Sequence, residues 1–197
     1  YIRLVLLIFL FIIGVLIGRS LKIAGILVFI VLVVLMVLVE YIVKLYNNLI
    51  SRKNEVLNSW SKIDIQLQRR ADLIPKLVET VKGYAAHEQA TFESISTARS
   101  GLKNSNSVDE AERYNIQLST GIKNLFVIAE DYPELKANEN FKILQKELSQ
   151  TENAIAVARE QYNSKAMIYN NACQQFPTII IAKIFNFKDA LFFQAEK

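Results

Sequence analysis

With 197 residues, the chain has room for one ordinary domain, or for a small domain and a membrane anchor. Its formal charge of +4 does not make it a nucleic-acid binder: with Arg3, Arg19, Lys22 and Glu40 set aside, the 20 Lys/Arg and 18 Asp/Glu from residue 44 onward are interleaved, with no basic stripe to displace counterions. The single Cys173 excludes an internal disulfide and a cysteine zinc cluster, and the 52% apolar content is unevenly spread, so that residues 1–43 read as a membrane region and 44–197 as a water-soluble one.

Residues 4–18, LVLLIFLFIIGVLIG, carry no charge, and residues 23–43, IAGILVFIVLVVLMVLVEYIV, carry only Glu40. The second run meets the roughly 20 residues that an α-helix needs to cross the hydrocarbon core, with Tyr41 and Lys44 where interfacial anchors are favoured. The first run is short, about 22 Å of helix at 1.5 Å per residue. Three readings compete for residues 1–22. A cleaved signal peptide lacks a small-residue cleavage site, because only Gly18-Arg19-Ser20 follows the apolar run. One continuous helix through residue 43 would measure about 65 Å, twice the bilayer core. A second membrane helix, turning at Gly18-Arg19-Ser20-Leu21-Lys22, is favoured, and Gly14 and Gly18 form a GxxxG pair that lets two helices approach closely. For a hairpin, Arg3, Lys44, Arg52 and Lys53 outweigh Arg19 and Lys22, which places the soluble region in the cytoplasm; for a single crossing the positive charges balance and leave the orientation open.

The soluble region reads as helical throughout. Leu45, Leu49, Val56, Trp60, Ile63 and Leu67 keep helical spacing, as do Ile74, Val78, Val81 and Ala85, and Phe92, Ile95 and Ala98 continue the stripe. The expectation is one helix over about 44–100, running on from the membrane segment. Gly101 to Ser107, GLKNSNS, reads as a break, and Ser107 to Glu110 has capping-box spacing. A second helix over about 108–131 carries Leu118, Ile122, Leu125 and Ala129, and stops at Tyr132-Pro133. A third, over about 138–175, repeats every seven residues at Phe141, Leu148, Ile155, Tyr162, Tyr169 and Phe176; Leu144, Thr151, Ala158 and Ala172 fill the complementary seam, with Lys165 the exception. Phe176-Pro177 closes it, leaving an apolar segment over 176–195.

Pro75 predicts a kink near residues 71–75 and not a helix end, because the stripe resumes in register at Val78 and Val81. Arg69, Arg70, Asp72, Lys76 and Glu79 fall largely off the stripe, with Asp72 and Lys76 an i, i+4 pair; the face is either simply solvated or a docking face for a partner or sister subunit. In the tail, Ile179, Ile180 and Ile181 cannot all share one narrow helix face, so at least one should project away from the core. With Phe185 and Phe192 they form a second candidate interaction surface, for a neighbouring subunit or the membrane surface, unless the tail folds back over the end of its own bundle; with only Lys183 and Lys188 positive in the segment, a protein contact is favoured over lipid headgroups.

The stretch QRRADLIPKLVETVKGYAAHE (68–88) resembles the LemA family signature, together with YNNLISRKNEVLNSWSKIDIQLQRR (46–70), YPELKANENF (132–141), ENAIAVAREQYN (152–163) and FPTIIIAKIFNF (176–187). The resemblance covers nearly all of residues 44–195. It implies a bacterial cell-membrane protein with an N-terminal membrane segment followed by a bundle of long helices, and it implies no particular activity. Residues 1–22 depart from the single membrane helix usual in the family, Thr178 to Ile181 are more apolar than usual, and Asn186 stands where the family often has glycine.

No constellation for catalysis appears. His87 is the only histidine, Tyr84 stands where a Glu-x-x-His pair would need a carboxylate, and there is no nucleophile elbow, Walker loop or dinucleotide fingerprint. The expectation is an all-α, non-enzymatic protein without cofactor or metal: an N-terminal transmembrane helix or helical hairpin, then a bundle of long antiparallel helices. Its expected partners are the lipid bilayer and further copies of itself, in a self-associating scaffold. The alternative is a regulatory adaptor whose rod and tail bind another membrane or envelope protein.

Overall fold

The structure, a computed structural model, describes residues 2–17 and 22–194. The elements among them are all helical: α1 (Ile2–Ile17), α2 (Lys22–Lys82), α3 (Gln89–Lys103), α4 (Val108–Glu130), α5 (Pro133–Ala137), α6 (Glu139–Gln174) and α7 (Thr178–Ile184). The proposed GRSLK turn lies outside the described residues, except for Lys22 at the start of α2.

The spine is α2. Its 61 residues make about 90 Å of unbroken helix, apolar over its first third and amphipathic thereafter. α6 packs along it in the opposite direction: Glu55 meets Lys165, Trp60 meets Tyr162, and Arg70 meets Glu152. The seven-residue seam supplies this contact, and Phe141, Leu148, Ile155, Tyr162 and Tyr169 are all buried. Leu148→Ala or Ile155→Ala should each cost about 2–4 kcal/mol by lost burial and the cavity left behind, read as a shift in the urea midpoint. A loss below about 0.5 kcal/mol would mean that the seam does not hold the bundle together.

The expected single helix over 44–100 is instead two. α2 stops at Lys82, and the turn through Gly83 to Glu88 reverses the chain, so that α3 returns along α2 with Arg99 beside Ala71 and Lys103 beside Asp72. Glycine at 83 weakens the helix locally. Ala85 stays buried while lying in the turn, which keeps the apolar stripe in register and hides the break. The next break is also shorter than expected: Gly101 belongs to α3, and the connection is 104–107. There the capping box forms, with Ser107 Oγ accepting from the Glu110 amide and the Glu110 carboxylate reaching back to the Asn106 amide.

α3 and α4 form an antiparallel hairpin held by close approach. A Cβ on Gly121 would lie 2.5 Å from Ile95 Cγ1, so only glycine fits against that side chain. Pro133 starts α5 at the position where its missing N–H costs nothing. Asn138 then caps α6, accepting from the Phe141 amide.

The half of the bundle remote from α1 is therefore four helices, α2, α3, α4 and α6. The half near α1 has only α2 and α6. The C-terminal segment supplies the missing layer: after α7 caps the end of the pair, residues 188–193 run back along α6 in extended conformation. The α7 end is a Schellman turn, with Phe187 N–H donating to Ala182 O and Asn186 at φ 54°. Asn186 thus occupies the left-handed position for which glycine is the commoner residue. Phe176, assigned to the seam by its spacing, falls after the helix has ended and is 81% exposed.

Candidate interaction surfaces

Gly14 faces α2 of its own chain, where an added Cβ would meet Phe29 at 3.6 Å, and Phe11 packs edge-on against the same ring. Gly18 lies outside the described residues. The small-residue face of α1 thus serves a contact within the chain.

On the 69–79 face, Arg69, Lys76 and Glu79 are exposed or nearly so, as expected. Asp72 is exposed but its partner is Lys103 of α3 at 2.6 Å, not Lys76 of its own helix, and that ammonium holds its carboxyl below the usual range. Arg70 departs from expectation. It is 3% exposed, donating to Asn115 Oδ1 and Ser119 Oγ of α4, both at 2.9 Å, and pairing with Glu152 of α6 at 2.7 Å. It cannot belong to a surface. It is a buried bracket that ties three helices together. Pro75 has an analogous role. Having no N–H, it leaves the Ala71 carbonyl without its helical donor, and Arg99 Nε of α3 donates to that oxygen at 2.8 Å. The opening in the α2 ladder is thereby an anchor for α3. His87 is exposed in the turn between α2 and α3.

In the tail, Ile181 is buried, Ile179 is partly buried and Ile180 is half exposed, in keeping with the expectation that one of the three projects outward. Phe185 and Phe192 are also half exposed. Phe185 and Phe187 pack on Tyr46 of α2, and Phe193 is buried against Trp60, whose ring also meets Tyr162. The tail folds back onto its own bundle.

Two asparagines hold it there. Asn170 donates to Ala190 O and accepts from Ala190 N; Asn163 does the same with Phe193. Tyr169 and Tyr162 donate to the Lys188 and Leu191 carbonyls. The spacing explains the match: seven residues of helix advance about 10.5 Å, and three residues of extended chain about 10 Å. Apolar periodicity does not reveal these asparagines. Their signal is the dipeptide Tyr-Asn at 162–163, repeated one heptad later at 169–170 within a helix, where asparagine is otherwise a poor choice.

Burial pushes the Tyr162 and Tyr169 phenols up, so they stay protonated and keep donating where a solvated tyrosine would ionise. A pKa raised on folding gives stability that is complete below the unfolded value and lost as pH rises past it. Stability should therefore fall above about pH 10, and Tyr162→Phe with Tyr169→Phe should flatten that fall. An unchanged alkaline limb in the double variant would remove these phenols from the account.

The sequence model of the LemA family matches residues 59–197. Protein LemA of Metamycoplasma hominis is 28% identical over 155 residues, which cover 77% of this chain and 69% of that protein. Magnetosome protein MamQ 2 of Paramagnetospirillum magneticum is 24% identical over 175 residues, and magnetosome protein MamQ of Magnetospirillum gryphiswaldense 25% over 174. These two alignments cover 76% and 75% of this chain and 64% of each relative, so the chain spans just under two thirds of their length.

Proposed function

The chain belongs to the LemA family, and on that premise we propose that it is a non-enzymatic, membrane-anchored helical scaffold that self-associates in the bacterial envelope. The observation carrying this reading is the continuity of α2. Its N-terminal part is apolar enough to cross a bilayer, no residue from Ile26 to Val43 is buried by the rest of the chain, and the same helix becomes the spine of the bundle. Anchor and bundle then move as one rigid body, which suits a strut better than an enzyme needing a mobile site. The packing of Phe11 and Gly14 on Phe29 supports a membrane hairpin, and positive-inside counting then puts the bundle in the cytoplasm. Exposed Leu57 and Ile65, eight residues apart on α2, offer an outer apolar face to a second copy.

Light scattering on the detergent-solubilised full chain tests self-association. The expected particle has several times the protein mass of one chain. A monomer that instead retains a second protein species favours the adaptor reading, for which the half-exposed Ile180, Phe185 and Phe192 are the supporting observation. For topology, in a Cys173→Ala background, Ser20→Cys and Ser51→Cys should label from opposite faces of the membrane. Labelling of both from one side would remove the hairpin.

A further inference from the structure

We propose that the cap formed by residues 175–187 lies in the lipid headgroup layer, with Ile180, Ile184 and Phe185 reaching the acyl-chain boundary. This rests on α2 crossing the bilayer, as proposed above.

The fold places the cap at the membrane end of the bundle. α6 runs toward α1 and ends at Gln174, and the tail descends again from Lys188 beside Tyr169. The turn and α7 between the two close that end of the α2–α6 pair. Phe185 stacks on Tyr46 at 4.8 Å between centroids, fixing the height of the cap on α2. Tyr46 stands three residues past Val43, the last residue of the apolar run, which is about 4.5 Å of helix. The headgroup region on each side of a bilayer is about 5–7 Å deep.

The cap's surface suits that depth. Ile184 is 68% exposed, and Ile180, one helical turn earlier on the same face, and Phe185 are about half exposed. Phe176 projects from the same cap. Ile42 and Val43 on α2 are likewise exposed, so the apolar surface continues along the axis from the spanning part of α2. A bilayer that covers Ile42 and Val43 reaches the cap without further movement. Lys44 and Lys183 are exposed at this level, with Lys188 just below it, and can meet anionic headgroups, while Asp189 is engaged by Gln174. An apolar face rimmed by lysines is the pattern of a segment lying in the interface plane. A second copy would have to seat itself beside the emerging α2, where lipid headgroups already compete for the space.

Spin labels read the environment directly. In full-length Cys173→Ala protein, labels would be placed one at a time by Ile180→Cys, Ile184→Cys, Leu38→Cys and Val157→Cys, and the protein reconstituted in phosphatidylcholine–phosphatidylglycerol vesicles. The ratio of oxygen to nickel-chelate accessibility at 180 and 184 should exceed that at 157, in the middle of α6, several-fold, and approach that at 38. A ratio at both cap positions equal to that at 157, with lipid at 38, overturns the proposal alone. Low accessibility to both reagents, with dipolar broadening that disappears on dilution with unlabelled protein, assigns the cap to a second copy and also overturns it. Water at position 38 removes the membrane span itself, and the cap proposal falls with it.

Discussion

Arg70→Ala should destabilise the bundle by about 3–5 kcal/mol, one of the two largest losses expected from a single substitution. The guanidinium is buried and reaches partners on two other helices, so truncation removes a charged link that joins α2, α4 and α6 at one point. It also leaves Asn115 and Ser119, both buried, without the donor that satisfies them; each such loss costs about 1–3 kcal/mol. Glu152→Ala should cost less, about 1 kcal/mol, because that carboxylate is half exposed and water can replace it. Arg70→Met separates charge from shape. If the bracket holds by filling space, methionine recovers most of the loss; if by its hydrogen bonds, it recovers little. Urea midpoints of the three variants decide the matter, and a loss under about 1 kcal/mol for Arg70→Ala would show that the cluster does not organise the helices.

The contrast with the apolar seam shows which features a sequence reveals. Phe141, Leu148, Ile155 and Tyr162 are legible because burial imposes a period, and a period needs no knowledge of the partner. Arg70 has the same residue type as its exposed neighbour Arg69, and only the third dimension supplies Asn115, Ser119 and Glu152. The reversal after Lys82 is hidden for a related reason. One glycine is a weak breaker, and buried Ala85 sits in the turn at the helical spacing that would continue the stripe. Pro75 is the opposite case: a strong local signal, internal to a helix as its flanking stripe implies, whose consequence depends on Arg99 of another helix. The capping box at Ser107 and the left-handed position at Asn186 are legible because each is settled within a few residues. The returning tail is not, since its extended residues answer to Asn163 and Asn170, and a side-chain amide spacing matters only once an antiparallel strap is known to lie against it.

Phe193→Ala should cost about 3–5 kcal/mol, the range for deleting a buried phenylalanine side chain. Phe193 is 1% exposed and lies against Trp60, the only tryptophan, whose ring also meets Tyr162. That places it on the α2–α6 pair, in the layer that the C-terminal segment supplies. A terminal segment can undock without the rest unfolding, so the cost appears in one of two ways. Should the tail and the α2–α6 pair unfold together, the main urea midpoint drops and Trp60 emission in the absence of urea stays as it was. Should the tail undock by itself, Trp60 emission moves to the red at once and the main midpoint holds. The reciprocal bonds at Asn163 and Asn170, with two tyrosine hydroxyls between the same elements, make joint unfolding the expected result. Asn163→Ala and Asn170→Ala should each weaken the strap by about 1–3 kcal/mol through the tail amide and carbonyl left without partners. Hydrogen exchange gives an independent reading, because the Ala190 and Phe193 amides should exchange no faster than the core of α6. If both amides exchange within the time of an unstructured chain, and Phe193→Ala changes neither the midpoint nor Trp60 emission, the tail is not a structural layer of this bundle.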